Sequence, residues 1–419
     1  MITKELLKQI IYEQHEVTIA NTIPRPIRDE WLLCEEIIVL SGIRRCGKSI
    51  LLQQIREKCT EHDFYFNFED ERLIGFSVAD FQMLHECFIE IYGVQHTWFF
   101  DEIQNIPEWE RFVRRLFNSG HKIYITGSNA NMLSRELGTH LTGRCIQIEL
   151  FPFSFQEFLR LRQFQWDNSA LYKTEIIAQL QSLFREYLAL GGFPAFLKNK
   201  SGEYLSSLYH NIIYRDVLQR NHLTSDREML QLMNYLASNG AKMHSFASLG
   251  KICGIRHPET IKNYLSFLEE TYLISTIYKY SPSLKVQMAS PKKVYLIDNA
   301  LMSRIGFNPT YNLGPLLENL VFLELRRRGH QVFYHSSKYE CDFVIQQGSH
   351  IPAIYQVSVD ITDSRTLHRE IDGLLDAARE YSPEHRYILT LSDERVIQND
   401  EQTIEILPVW KWLLNKDAF

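Results

Sequence analysis

Hydrophobic and polar positions divide the chain into segments of different period. Through Leu150, short β-branched or aromatic runs alternate with helical stretches, the pattern of a parallel sheet covered by helices. The runs predict strands at Ile37 to Ser41, Phe64 to Phe68, Thr97 to Asp101, Lys122 to Thr126 and Cys145 to Leu150. Helices are predicted at Ser49 to Cys59, Ala79 to Tyr92 and Trp109 to Asn118, with an irregular stretch from Asn131 to Leu141. From Ser154 to Tyr235 the periodicity is helical and is broken at Gly191-Gly192-Phe193-Pro194, which reads as a helical lid or connector. From Ser245 to Asp298 the order is helix, turn, helix, then two strands separated by Ser281-Pro282-Ser283, a winged-helix pattern. The remainder opens with a helix through Arg328. It continues with strands at Gln331 to Tyr334, Asp342 to Gln346 and Ala353 to Ser358, a helix from Thr366 to Tyr381, and strands near Arg386 to Leu391 and Thr403 to Pro408. This divides the chain into an α/β domain over 1–151, a helical connector over 152–239, a winged helix over 240–311 and a second α/β domain over 312–419.

Composition narrows the class. A chain of 419 residues with 45% apolar and 23% charged positions is globular, too long for one small domain and neither disordered nor collagen-like. No apolar stretch approaches the ~18 residues needed to span a bilayer. The N-terminus, Met1-Ile2-Thr3-Lys4-Glu5, mixes charges early and lacks an apolar signal core, so a cytoplasmic location and no membrane partner are expected. The seven cysteines are scattered, odd in number and never in a C-x-x-C pair, which fits reduced thiols better than disulfides or a zinc site. A net charge of −6 argues against a protein that coats polyanions, although a local basic face is compatible with it.

The chemistry concentrates in the first domain. Gly42-Ile43-Arg44-Arg45-Cys46-Gly47-Lys48-Ser49 fits G-x-x-x-x-G-K-[ST] and lies after a strand and before a helix, where a phosphate-binding loop belongs. In such a loop the backbone N–H groups wrap the phosphates, Lys48 reaches the β and γ phosphates, and the Ser49 hydroxyl ligates Mg²⁺. Gly42, Arg44, Arg45, Gly47, Lys48 and Ser49 are therefore candidate ATP contacts. The apolar strand ending in Asp101-Glu102 supplies the second half: Asp101 to hold Mg²⁺ and Glu102 to polarise the attacking water. Ser128 or Asn129, after the strand beginning at Lys122, is placed to sense the γ phosphate or orient the water. Arg144, with Arg135 as a competitor, is a candidate to stabilise transition-state charge from a neighbouring subunit, which leaves an oligomer open.

Taken together, GIRRCGKS, FFDEIQ, ITGSN, SRELGTHLTGR, FPFSFQEF and GGFP resemble the AAA-type ATPases of bacteria and archaea that carry a C-terminal nuclease-like domain of unknown function. The resemblance covers nearly the whole chain. It implies ATP binding and hydrolysis, with Lys48, Ser49, Asp101 and Glu102 at the matching positions and Ser128 or Asn129 at the first-sensor position. Many relatives carry two serines there.

Beyond the first domain, residues 240–295 contain eight Lys/Arg against three acids, a local excess of positive charge in an acidic chain. His257, Thr260, Lys262 and Asn263 fall early on the recognition helix of the winged-helix pattern. Lys285, Lys292 and Lys293 are expected at phosphates, so DNA is one partner class and protein docking the other. The C-terminal part resembles the PD-(D/E)xK nuclease fold, with Glu318 on a helix, Asp342 entering a strand and Gln356-Val357-Ser358 on the next. Gln356 replaces the second acid of that pattern and Ser358 its lysine, which predicts an inactive or repurposed nuclease fold; Glu370 is a candidate migrated acid. The leading expectation is an ATP-driven switch or motor acting on DNA or protein. The alternatives are an ATP-dependent DNA nuclease and a nucleotide-gated binding module with little turnover.

Overall fold

The computed structural model describes residues 2–17, 22–128, 141, 143–166, 172–223, 225–307, 312–399 and 402–415. They form two compact units, Met1–Phe151 with Glu270–Tyr272, and Pro152–Glu269 with Leu273–Phe419. No helix among the described residues is long and apolar enough to cross a membrane.

In the first unit, strands β1 (Ile37–Ser41), β2 (Phe64–Asn67), β3 (Thr97–Asp101), β4 (Lys122–Gly127) and β5 (Cys145–Glu149) form one sheet in the order β2-β3-β4-β1-β5, with every pairing parallel. Parallel neighbours need crossover connections, and helices Lys48–Arg56, Phe81–Tyr92 and Trp109–Asn118 supply them. All of β1 is buried, as is all but the first residue of β3 and of β4. Burial on both faces is why these strands read as unbroken apolar runs. The order β3-β4-β1 sets three carboxyl-terminal strand ends side by side, the edge at which open α/β sheets bind ligands. The core beneath is aromatic: Phe64 meets Trp98 edge-on at 4.7 Å, and Phe81 stacks on Phe112 at 4.5 Å. Truncating one such buried ring to alanine costs about 3–5 kcal/mol.

Helix Lys4–Glu16 has no counterpart in the sequence reading. The Thr3 side chain accepts from Leu6 N at its start, and Leu7, Ile10 and Ile11 enter the same core as Phe64, Phe66 and Phe88. At its far end the Gln14 amide donates to Asn67 O at 3.0 Å and accepts from Asn67 N at 2.9 Å. That pairing covers backbone groups of the edge strand β2 which would otherwise recruit another strand.

The second unit begins with helices Phe155–Leu161, Thr174–Leu190, Pro194–Asn199, Gly202–Asn211 and Asp226–Ser238, with a π-helical segment at Ile212–Gln219. Ser154 and Glu157 form a capping box, each side chain bonding the other's backbone N–H. The break at Gly191-Gly192 is forced by close approach: a Cβ on Gly191 would lie 2.2 Å from Asp298 Oδ2, and one on Gly192 2.3 Å from Phe153 O.

Next come β6 (Met243–His244), helices Phe246–Cys253 and Pro258–Glu270, β7 (Ile274–Ile277) and β8 (Lys292–Leu296), in an antiparallel sheet of order β6-β8-β7. The link from β7 to β8 is longer than a turn and contains helix Leu284–Ala289. Two lysines expected at phosphates are buried here, Lys292 at 3% and Lys293 at 1% exposure. Lys292 Nζ donates to Gln287 O at 2.8 Å and Met288 O at 2.9 Å, and also to Ser290 O, so its charge serves the carboxyl-terminal carbonyls of that helix. Lys293 is held by carboxylates.

The chain then runs through helices Asn299–Ile305 and Leu313–Arg327 into β9 (Gln331–Ser336), β10 (Glu340–Gln347) and β11 (His350–Val357), which pair antiparallel in sequence. Helix Ser364–Tyr381 crosses to β12 (His385–Thr390), parallel to β11. β13 (Arg395–Asn399) and β14 (Gln402–Pro408) complete a sheet of order β13-β14-β12-β11-β10-β9.

Candidate nucleotide-binding site

Between the end of β1 and the start of helix Lys48–Arg56 the chain turns sharply. Gly42 has φ 145°, and a Cβ on it would lie 2.3 Å from Leu150 O, so only glycine passes there. Gly47, at φ 105°, occupies the N-cap of the helix, whose first N–H groups lack intrahelical partners, an arrangement that favours an anion. Lys48 is 4% exposed; its Nζ donates to Gly42 O at 3.1 Å and Ile43 O at 3.3 Å and stands 3.7 Å from Glu102 Oε1. Arg45 is exposed with φ 66°, and Arg44 pairs with Glu69 at 2.6 Å.

Asp101 closes β3, fully buried, and the Ser49 hydroxyl donates to its Oδ1 at 3.1 Å. The Thr126 hydroxyl on β4 donates to the same oxygen, and Tyr65 OH on β2 lies 3.4 Å from the other. Burial holds the Asp101 carboxyl above the usual carboxylate range, and the Glu102 charge adds to this while Thr126, Ser49 and Lys48 oppose it. A cation beside it would relieve that cost, and a hydroxyl and a carboxylate are the hard oxygen donors that Mg²⁺ prefers. Glu102 takes a left-handed conformation, φ 52°, and its Oε2 accepts from Gln104 Nε2 and, at 3.3 Å, from Ser128 Oγ. The hydroxyl of Thr126 also accepts from Glu102 N at 2.9 Å, so one buried threonine fixes both acids.

A family model described as "AAA domain" matches residues 35–159, and two described as domains of unknown function, DUF8612 and DUF4143, match 181–310 and 313–412. The uncharacterized protein MJ1544 of Methanocaldococcus jannaschii is 35% identical over 99% of this chain and 96% of its own length. The chain belongs to this family of AAA-domain proteins. It is a nucleotide-binding AAA protein by that domain. An uncharacterized protein of Haemophilus influenzae is 30% identical over 90% of this chain and 94% of its own. Among solved structures, the Aeropyrum pernix ORC2 protein in its ADP form superposes at TM-score 0.33 and 12% identity, covering 71% of this chain and 96% of that one. Thermotoga maritima RuvB R170A does so at 0.27 and 13%, covering 59% and 82%. Superpositions this loose carry no functional conclusion.

Within the AAA domain, Lys48, Ser49, Asp101, Glu102 and Ser128 come together at one edge of the sheet, and Arg144 does not. Arg144 O accepts from Ile37 N at 2.8 Å, at the start of β1, and its guanidinium lies 5.8 Å from the centre of the Phe117 ring. That end is about 13 Å along the strand from the phosphate loop at ~3.3 Å per residue. Asn129 and Arg135 lie outside the described residues.

Arg25 and Thr126 carry no role in the sequence reading. Arg25 is 7% exposed; its guanidinium donates to Cys46 O, and its backbone N–H donates to Gln54 Oε1 at 2.9 Å, which ties the segment before the sheet to the loop. Thr126 had a signal, a hydroxyl at the buried end of an apolar run. Arg25 had none, because nothing periodic surrounds it.

A second cluster lies in the C-terminal unit of this AAA-domain protein. Glu318, on helix Leu313–Arg327, and Glu340 and Asp342, on β10, meet around Lys293 Nζ at 3.1, 2.7 and 3.0 Å. Burial lowers the proton affinity of the Lys293 ammonium, but Glu318, Tyr295, Asp342 and Glu340 together hold its pKa well above the usual lysine range. Gln356 bonds Asp342 N, Glu340 O and Glu370 Oε2, and the Ser358 hydroxyl turns to Asp360 O at 3.2 Å.

Proposed function

We propose that the AAA domain binds ATP with Mg²⁺ and hydrolyses it, and that the second unit relays nucleotide state to DNA. The observation that carries the reading is the convergence of Lys48, Ser49, Asp101, Glu102 and Ser128 at the carboxyl edge of one parallel sheet. In this reading the loop N–H groups and Lys48 hold the phosphates, with the ammonium moving from the Gly42 and Ile43 carbonyls to the charge that replaces them. Ser49 and Asp101 hold Mg²⁺, which when bound neutralises phosphate charge. Glu102, steadied by Gln104 and Ser128, accepts a hydrogen bond from the attacking water and orients it toward the γ phosphate. Ser128 reports the phosphate through that same contact, with Asn129 as the alternative. A transition-state role for Arg144 requires a second copy of the chain, because its own loop is at the other end of the strands.

DNA is favoured as partner by the face around helix Pro258–Glu270, where Lys251, Arg256, His257, Lys262 and Asn263 are exposed while Ile261, Tyr264, Leu265 and Leu268 are buried. The order of two helices and a β7–β8 pair supports reading this segment as a winged helix. For the C-terminal unit, a helix, three antiparallel strands, a helix and a parallel strand support a nuclease-like fold, and Gln356 and Ser358 argue against cleavage. The test is phosphate release from Mg-ATP by the full chain and by Lys48→Ala, with and without duplex DNA. Turnover that DNA raises and Lys48→Ala abolishes supports the reading; no turnover by the wild-type chain in either condition refutes it.

A further inference from the structure

A nuclease-like sheet implies a divalent metal between Glu318, Asp342 and the residue at 356, and the side chains present do not fit one. Lys293 Nζ already lies between the carboxylates, 2.7–3.1 Å from three of their oxygens, with the lysine 1% exposed. Those are ammonium distances; a Mg²⁺ ion draws its oxygens to about 2.0–2.1 Å and needs six of them. Other donors share these carboxylates. Tyr295 OH donates at 2.8 Å to the same Glu318 oxygen that Lys293 contacts, and Val357 N donates at 3.0 Å to Asp342 Oδ2. Gln356 cannot stand in for a carboxylate, since its Oε1 accepts from Asp342 N at 2.7 Å and its Nε2 donates to Glu340 O at 3.0 Å and Glu370 Oε2 at 2.9 Å.

We propose that Lys293 is a built-in cation that takes the metal's place in the C-terminal unit, closing the carboxylate cluster to divalent ions and joining the β6-β8-β7 sheet to the C-terminal sheet. The chain supplies the charge from β8, a strand outside the C-terminal sheet, so the cluster keeps its counter-charge only while the two sheets stay docked. Both lysines of the Lys292-Lys293 pair thus act inside the fold, one on helix carbonyls and the other on carboxylates. The proposal goes beyond the ATPase reading and does not depend on it; from the nuclease-like reading it takes only the identity of the excluded ion.

The test is titration of the nucleotide-free full chain with Mn²⁺, read by calorimetry. The wild-type chain and Asp342→Asn are expected to bind the same number of ions. Lys293→Met is expected to bind one more per chain, with a thermal midpoint that Mn²⁺ raises, and Lys293→Met/Asp342→Asn to lose that ion. Lys293→Arg, which keeps the charge, is expected to match wild type. An ion bound by the wild-type chain and lost in Asp342→Asn overturns the proposal. So does a folded Lys293→Met that binds no additional ion. Should Lys293→Met fail to fold, the comparison of wild type with Asp342→Asn still decides.

Discussion

Thr126 is the residue whose replacement tests the geometry of the candidate site most sharply. Its hydroxyl donates to Asp101 Oδ1 and accepts from Glu102 N at 2.9 Å, and the residue is fully buried. Thr126→Val preserves shape and removes both bonds. Asp101 then keeps Ser49 and Tyr65 alone, and the Glu102 N–H faces a methyl group. A hydrogen bond to a charged group contributes about 1.5–3 kcal/mol, and a buried donor left without a partner costs about 1–3 kcal/mol. Because the two losses share one oxygen and partial relaxation offsets them, the expected destabilisation is about 2–4 kcal/mol, roughly 30- to 1,000-fold in the unfolding equilibrium. Thr126→Ser keeps the hydroxyl and sheds a methyl, at about 1 kcal/mol. Urea unfolding of both variants, with phosphate release measured alongside, separates the cases. Val should lower both stability and turnover, and Ser should restore most of each. Equal damage from Ser and Val would mean that packing, rather than the hydroxyl bridge, holds the two acids, and the reasoning would fail.

Arg25→Met should weaken ATP binding about tenfold, ~1.4 kcal/mol, by freeing the Cys46 carbonyl that shapes the loop; a fluorescent nucleotide titration with unchanged affinity would contradict this. Gly191→Ala should destabilise the second unit by about 1–3 kcal/mol or more, since its Cβ would meet Asp298 Oδ2 at 2.2 Å and the backbone has φ 63°; an unfolding midpoint equal to wild type would refute it. Burial pushes the Asp298 carboxyl up to about 6 from 3.8, with bonds from Gly192, Leu301 and Ala300 opposing. Across that window the native state holds a proton the unfolded chain has shed. Stability from this group is therefore present below 3.8 and is lost as pH rises through about 6. Asp298→Asn should flatten that part of the stability profile, and a profile identical to wild type would exclude Asp298 as its source.

The first domain was legible because its strands are buried on both faces and its loop obeys a spacing that phosphate chemistry demands. Ile37–Ser41 and Thr97–Asp101 carry the same bounds in the sequence reading and in the structure. Helix Lys4–Glu16 was legible in principle, because Leu7, Ile10 and Ile11 recur at helical spacing behind the Thr3 cap, but the stripe is only three residues long. The π-helical turn at Ile212–Gln219 and the helix between β7 and β8 leave no mark that periodicity detects. Strand β13 is exposed at Val396 and lies at a sheet edge, so it lacks the alternation that revealed its neighbours. Lys292 and Lys293 show the limit most clearly. In sequence they resemble any surface basic pair, and only the fold brings three carboxylates and a row of carbonyls to them. The FPFSFQEF and GGFP motifs resolve into a capping box and a glycine passage beside Asp298, both matters of folding.

The most direct test of the central claim is to separate ATP binding from turnover in Glu102→Gln. If Glu102 orients the attacking water while Lys48 and the loop hold the phosphates, Glu102→Gln should bind ATP within a few-fold of wild type and lose turnover ~100-fold or more, general-base contributions being typically 10²–10⁴-fold. A Glu102→Gln chain that turns over ATP at the wild-type rate would contradict the account.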